Sequence, residues 1–145
     1  MPVTIVVADD EEQYREIARF LLARMSDMIV VGEAADGEEA LSVALRERPD
    51  IVITDLVMPR LNGIDLTKRI RQELPQTRVV LMSSFTEDAY RLMASDSGAD
   101  AFVHKGVIFD NLLPAIHDVM RRRLSGGSGW LPPGTGASSA SAAPK

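Results

Sequence analysis

Apolar residues follow two rhythms in this chain, and the rhythms alternate. Largely apolar runs stand at 3–8, 28–34, 51–54, 79–82 and 101–104, with Thr4, Glu33, Thr54 and His104 their polar members. They lack polar alternation, which suits strands covered on both faces. Between them apolar residues recur every three or four positions, the spacing of an amphipathic helix. The spacing predicts a helix over 12–24 with Tyr14, Ile17, Ala18, Leu21 and Leu22 inward, and one over 37–48 with Ala40, Leu41, Ala44 and Leu45. A third spans 63–73 on Ile64, Leu66, Thr67 and Ile70. The fourth, over 86–95, has the weakest stripe, made of Tyr90, Leu92 and Met93. The last, over 108–124, presents Leu112, Leu113, Ile116, Val119 and Met120. The punctuation agrees. Asp36 is placed to cap the second helix, Pro49 and Pro75 end the second and third, and Arg121, Arg122 and Arg123 fall where cations meet the negative end of the last helix dipole.

Strict alternation of five strand–helix units predicts an α/β fold, a doubly wound five-stranded parallel sheet with helices on both faces. The natural strand order is 2-1-3-4-5, a flavodoxin-like three-layer sandwich. Its site is expected beyond the C-terminal edge of the sheet, at the switch between strands one and three. Those strands run into Asp9-Asp10 and Asp55. The folded domain is expected to cover 1–124. From Ser125 the sequence turns to Gly, Ser, Pro and Ala, and 125–145 reads as a flexible tail or a linker cut short, with Trp130 and Leu131 its large apolar side chains.

The chain has 145 residues, a net charge of -5 and no cysteine. The acidic balance weighs against direct nucleic-acid binding by this chain. The missing cysteines exclude disulfides, thiolate chemistry and cysteine metal sites. The opening MPVTIVVADDEE lacks a basic leader, and no run reaches the ~18 apolar residues of a membrane span. A cytoplasmic location without membrane association is the expectation.

Three carboxylates at one sheet edge repel each other unless a cation balances them. An oxygen-rich set favours Mg2+ with retained waters. Zinc fits poorly, because His104 and His117 lie apart along the chain. An aspartate can also act as a nucleophile toward phosphorus, given positive charge around the phosphoryl oxygens. Lys105 offers an ammonium and Ser83 a hydroxyl, each at a strand tip.

The pieces VVADDEE at 6–12, ITDLVMPRLNGIDL at 53–66, VVLMSS at 79–84 and GADAFVHK at 98–105 resemble the two-component response regulator receiver domain. The spacings agree as well: 45 residues from Asp10 to Asp55, 28 from Asp55 to Ser83 and 22 from Ser83 to Lys105. The resemblance covers about residues 3–122 and implies a receiver-like fold and phosphorelay signalling. It makes Asp55 the phosphoacceptor, Asp10 the direct Mg2+ carboxylate, Asp9 a ligand through water, and the Val57 backbone carbonyl a further ligand. It places Ser83 as the switch hydroxyl, with Ser84 a neighbouring alternative, and Lys105 as the phosphoryl-binding lysine. Phe102 takes the switch-aromatic position, although an aromatic on a short strand also reads as core. The implied partner is a histidine kinase or phosphotransfer protein, with a second copy of the chain as a further partner after phosphorylation. The changing surface is expected over 86–124. MIVVGEAADGEEAL and the residue after Lys105 are similar to receivers of the helix-turn-helix transcription regulator class.

The sequence departs from the family where Gly106 replaces the usual Pro. The Lys105–Gly106 peptide is left open, trans or strained cis. The resemblance implies that the positions two beyond Asp55 and Ser83 flank the path of the hydrolytic water. Here they are Val57 and Phe85, apolar and unable to orient a water, so slow dephosphorylation is expected. Strand alternation is expected to point His104 away from Lys105. Pro59 and Asn62-Gly63 are expected to shape the loop that presents Asp55. Such a domain carries chemistry for its own phosphorylation and hydrolysis, yet acts as a switch rather than a metabolic enzyme. Two rivals stand beside it: a phosphorylation-independent interaction module, and a Mg2+-dependent phosphatase with an Asp nucleophile. The phosphatase wants a second acid where Val57 stands.

Overall fold

A computed structural model describes residues 2–85 and 88–124. The expected tail at 125–145, and Thr86 at the expected start of the fourth helix, lie outside the described residues.

Five strands form one sheet: β1 (Val3–Ala8), β2 (Met28–Ala34), β3 (Ile51–Asp55), β4 (Arg78–Ser83) and β5 (Ala101–His104). All pairings are parallel and the order is β2-β1-β3-β4-β5, as the alternation predicted. The helices are α1 (Glu12–Ala23), α2 (Gly37–Glu47), α3 (Gly63–Glu73), α4 (Asp88–Asp96) and α5 (Ile108–Leu124), the last entered through a 3-10 turn, Lys105–Val107.

Period-two alternation along the strands divides the core into two layers. On one face Val6, Ala8, Val52, Val79, Leu81 and Phe102 pack against α2, α3 and α4. On the other, Ile5, Val7, Ile51, Ile53, Val80 and Met82 pack against α1 and α5. Ile5, Ile51 and Ile53 are fully buried, and each such side chain contributes on the order of 1.5–3 kcal/mol. This two-sided burial is why the inner strands β1, β3 and β4 read as nearly continuous apolar runs, whereas the edge strand β2 is largely half-buried and carries Glu33.

The helix ends follow local chemistry. Asp36 caps α2 by accepting from the Glu39 N–H at 2.8 Å. Asn62 caps α3 by accepting from the Asp65 N–H at 2.9 Å. Arg122 donates to the Asp100 carbonyl at 2.9 Å, tying the end of α5 to the start of β5, while Arg121 pairs with Asp118. In α4 the structure corrects the expected stripe. Leu92 is 66% exposed and Met93 is also exposed, whereas Ala94 is the buried residue. Tyr90 is half-buried and stacks on Phe85, with ring centroids 4.7 Å apart.

Candidate functional site

The C-terminal strand edge gathers the site. β1 ends at Ala8, so Asp9 and Asp10 begin the loop into α1, and β3 ends on Asp55 itself. One carboxylate oxygen from each of Asp9, Asp10 and Asp55 can be chosen so that all lie within 4.8 Å of one another. Asp9 and Asp55 are buried, and Asp10 is exposed.

Lys105 closes this pocket from the end of β5. Its Nζ lies 2.8 Å from Asp9 Oδ2, 3.3 Å from Asp55 Oδ1 and 3.4 Å from Glu11 Oε1. It also stands 4.0 Å from the centroid of the Tyr14 ring. Burial alone would lower the Lys105 pKa, but its close contact with the Asp9 carboxylate and the charges of Asp55 and Asp9 outweigh that and raise it. Lys105 thus stays charged in a site where its side chain is only 3% exposed.

The two buried acids feel the opposite strain. Burial pushes Asp55 up to about 6, and the Asp9 charge adds to the rise against the pull of Lys105. Asp9 is also raised, by burial first, although the contact with Lys105 works against the rise. Its Oδ2 is buried and faces the Lys105 ammonium at 2.8 Å. Three clustered carboxylates beside a single buried ammonium fit a bound cation. The donors are all oxygen, which suits a hard divalent ion.

Asp55 is held with one oxygen occupied. Its Oδ1 accepts from the Leu56 N–H at 2.9 Å and faces Lys105. Oδ2 has no hydrogen bond among the described residues. The loop beyond Asp55 is tightly built. Arg60 has φ 72°, within a three-residue turn closed by the Leu61 N–H on the Pro59 carbonyl at 2.8 Å. The Gly63 N–H returns to the Leu56 carbonyl at 2.8 Å. A β-carbon at Gly63 would overlap the Asp55 carbonyl, so this glycine supplies space rather than an unusual φ. The Asn62-Gly63 pair is therefore a helix cap and a close approach.

Ser83 ends β4, one register position past Met82, which pairs with Asp55. It is buried, and its hydroxyl oxygen accepts from the Phe85 N–H at 2.9 Å. Ser84 is exposed, and its carbonyl lies 3.1 Å from His104 Nε2. His104 Nδ1 accepts from the Gly106 N–H at 3.0 Å, so Nε2 carries the proton given to Ser84. His104 thus laces β5 to the loop after β4 and takes no part in the Lys105 cluster. Phe102 is buried against the α2–α4 face, already inside. Val57 and Phe85, two residues beyond Asp55 and Ser83, are both exposed. Among the described residues no peptide bond is cis, which settles Lys105–Gly106 as trans.

Sequence reasoning assigned Tyr14 only to the apolar stripe of α1 and gave Glu11 no site role. Both touch Lys105. No sequence spacing pairs either residue with Lys105, which lies about ninety residues further along the chain. Arg15, next to Tyr14, donates to the Asp9 carbonyl at 2.5 Å.

Comparison with known proteins bears on this geometry. The family profile described as the response regulator receiver domain matches residues 5–117. The response regulator protein VraR of Staphylococcus aureus is 33% identical over 121 residues, 83% of this chain and 58% of VraR. The chain thus spans little more than half of that relative. The signal receiver domain of the response regulator NarL from Mycobacterium tuberculosis superposes with TM-score 0.78 at 33% identity, covering 83% of this chain and 97% of that domain. A LuxR-family two-component response regulator from Aurantimonas sp. SI85-9A1 gives TM-score 0.75 at 28% identity, covering 97% of this chain and 94% of its own. Among the described residues no helix is long and apolar enough to cross a membrane.

Proposed function

Because the chain belongs to the response regulator receiver domain family, we propose that it is a phosphoacceptor switch whose nucleophile is Asp55. The observation that carries this reading is the asymmetry of that carboxylate. Oδ1 is committed to Leu56 and Lys105, and Oδ2 is left to attack. Its donor is a phosphohistidine on a histidine kinase or phosphotransfer protein. Oδ2 attacks phosphorus, the P–N bond breaks, and the imidazole departs with the electron pair.

Asp10 and Asp55 would hold Mg2+ directly, Asp9 through water, and the Val57 carbonyl would complete the protein's share. The bound ion offsets the negative charge of the carboxylates and of the incoming phosphoryl group. Lys105 gives a fixed ammonium to the phosphoryl oxygens. Ser83 would exchange its Phe85 N–H contact for donation to the same oxygens. That exchange would pull on the segment leading into α4 and retune the face made by α4, β5 and α5, where Leu92, Val107 and Phe109 are exposed. Phe102 is buried in the same core layer as Ala94 of α4 and would be the aromatic that registers the change. That face would select the next protein, a second copy of the chain included.

The test is intact-mass spectrometry after incubation with acetyl phosphate and Mg2+. Wild type should gain one phosphoryl mass and folded Asp55→Ala should not. A folded wild type that neither acetyl phosphate nor any kinase labels would instead favour a phosphorylation-independent interaction module. The phosphatase alternative lacks its second acid, since Val57 holds that place.

A further inference from the structure

We propose that Tyr14 is a positioning residue for Lys105, its ring face holding the ammonium where the phosphoryl group of Asp55 will arrive. The inference rests on the reading of Asp55 as phosphoacceptor and adds a residue to it. Lys105 Nζ is surrounded by three carboxylates, from Asp9, Asp55 and Glu11, at 2.8, 3.3 and 3.4 Å. One positive charge cannot serve all three equally, and each carboxylate draws it to a different point. Glu11, whose side chain is half exposed, draws it toward solvent and away from Asp55. The Tyr14 ring is the uncharged member of the set, 4.0 Å from Nζ at its centroid.

The two kinds of contact behave differently when Asp55 gains a phosphoryl group. The ammonium must then turn from Asp55 Oδ1 to phosphoryl oxygens. A hydrogen bond to a carboxylate is directional and is lost in that turn. Attraction to a ring face acts out to ~6 Å from the centroid, so the ammonium keeps it while changing oxygen partners. The ring is itself anchored. Tyr14 lies in the first turn of α1, packed against the core shared by α1 and α5. It belongs to a different element from Lys105, so it fixes the ammonium relative to the β1 end of the pocket.

The experiment measures initial rates of phosphorylation of the full chain by acetyl phosphate at saturating Mg2+. The variants are Tyr14→Phe, Tyr14→Leu and a series carrying progressively fluorinated phenylalanines at position 14. Fluorination preserves ring shape while draining the negative face. Mg2+ affinity is measured alongside by calorimetry. Tyr14→Phe should stay within about twofold of wild type, and Tyr14→Leu should be slower by about fivefold. The fluorinated series should fall stepwise, with Mg2+ affinity unchanged throughout. If Tyr14→Leu fails to fold, the fluorinated series decides alone. A flat series, a failure of Tyr14→Phe to restore the rate, or a rate loss that follows Mg2+ affinity overturns the proposal. A wild type that is never labelled overturns the phosphoacceptor reading itself, whereas a labelled wild type with a flat series overturns only the role of Tyr14.

Discussion

Lys105 Nζ lies 3.3 Å from Asp55 Oδ1, although the strands that carry them are not neighbours. β4 runs between them and ends in Ser83. The lysine therefore spans the tip of the intervening strand, and three consecutive strands meet in one pocket. Without Lys105 the acids of that pocket lose their counter-charge. Lys105→Ala should reduce folding stability by about 3 kcal/mol at neutral pH in EDTA, as when one partner of a buried pair is removed. Millimolar Mg2+ should restore part of the loss. Urea denaturation with and without the ion is the check, and a variant as stable as wild type in EDTA would contradict the structure.

Asp55 behaves oppositely. Its carboxyl is held at about 6, against an ordinary 3.8, by burial and then by the Asp9 charge. Between those values the unfolded chain releases its proton while the folded protein keeps it. Ionising Asp55 therefore costs stability, the cost grows as pH rises from about 4 to about 6, and it is fully present above that window. Asp55→Asn should accordingly stabilise the metal-free protein by about 2 kcal/mol at pH 8. The gain should vanish near pH 4. Thermal melts across this range would show it, and a gain independent of pH would refute ionisation of the buried carboxyl as its cause.

Gly63 sets two principles against each other. Alanine is the better helix former, which favours Gly63→Ala by up to ~1 kcal/mol within a helix and by less at its first residue. The new β-carbon would overlap the Asp55 carbonyl and crowd Leu56, both backbone groups that cannot swing aside. Overpacking should win, with a net loss of about 2 kcal/mol and slower labelling of Asp55. An alanine variant more stable than wild type in urea would show that the loop yields.

Much of this architecture was legible in the chain because the sheet is covered on both faces. Such strands appear as apolar runs, and their tips fix which polar residues can meet. Asp9, Asp10, Asp55 and Lys105 were found that way. The α4 stripe was misjudged because Leu92 and Met93 face outward and the small Ala94 packs inward, so hydrophobic size misled the period. Glu11 and Tyr14 were missed as site residues because their contacts with Lys105 join the two ends of the domain. Only the folded topology creates that neighbourhood. The Lys105–Gly106 peptide was open in the sequence, and the structure has it trans.

Val57 and Phe85, two residues beyond Asp55 and Ser83, are exposed apolar side chains. Neither can hydrogen-bond a water lined up on the acyl phosphate. The phosphorylated protein should therefore persist for minutes or longer with Mg2+ present. Replacing Val57 by Asn, which can hold such a water, should shorten its life several-fold. Decay of wild type within seconds, followed by loss of the phosphoryl mass, would contradict this.

Phosphoryl capture is assigned to one oxygen of one residue, and borohydride reduction reads that residue directly. An acyl phosphate on an aspartate is reduced to homoserine, which peptide sequencing by mass spectrometry locates. After phosphorylation with acetyl phosphate and Mg2+, homoserine is expected at position 55 and at no other aspartate. Homoserine at position 9 or 10, or a phosphoryl label that yields no homoserine at 55, would contradict the role of Asp55.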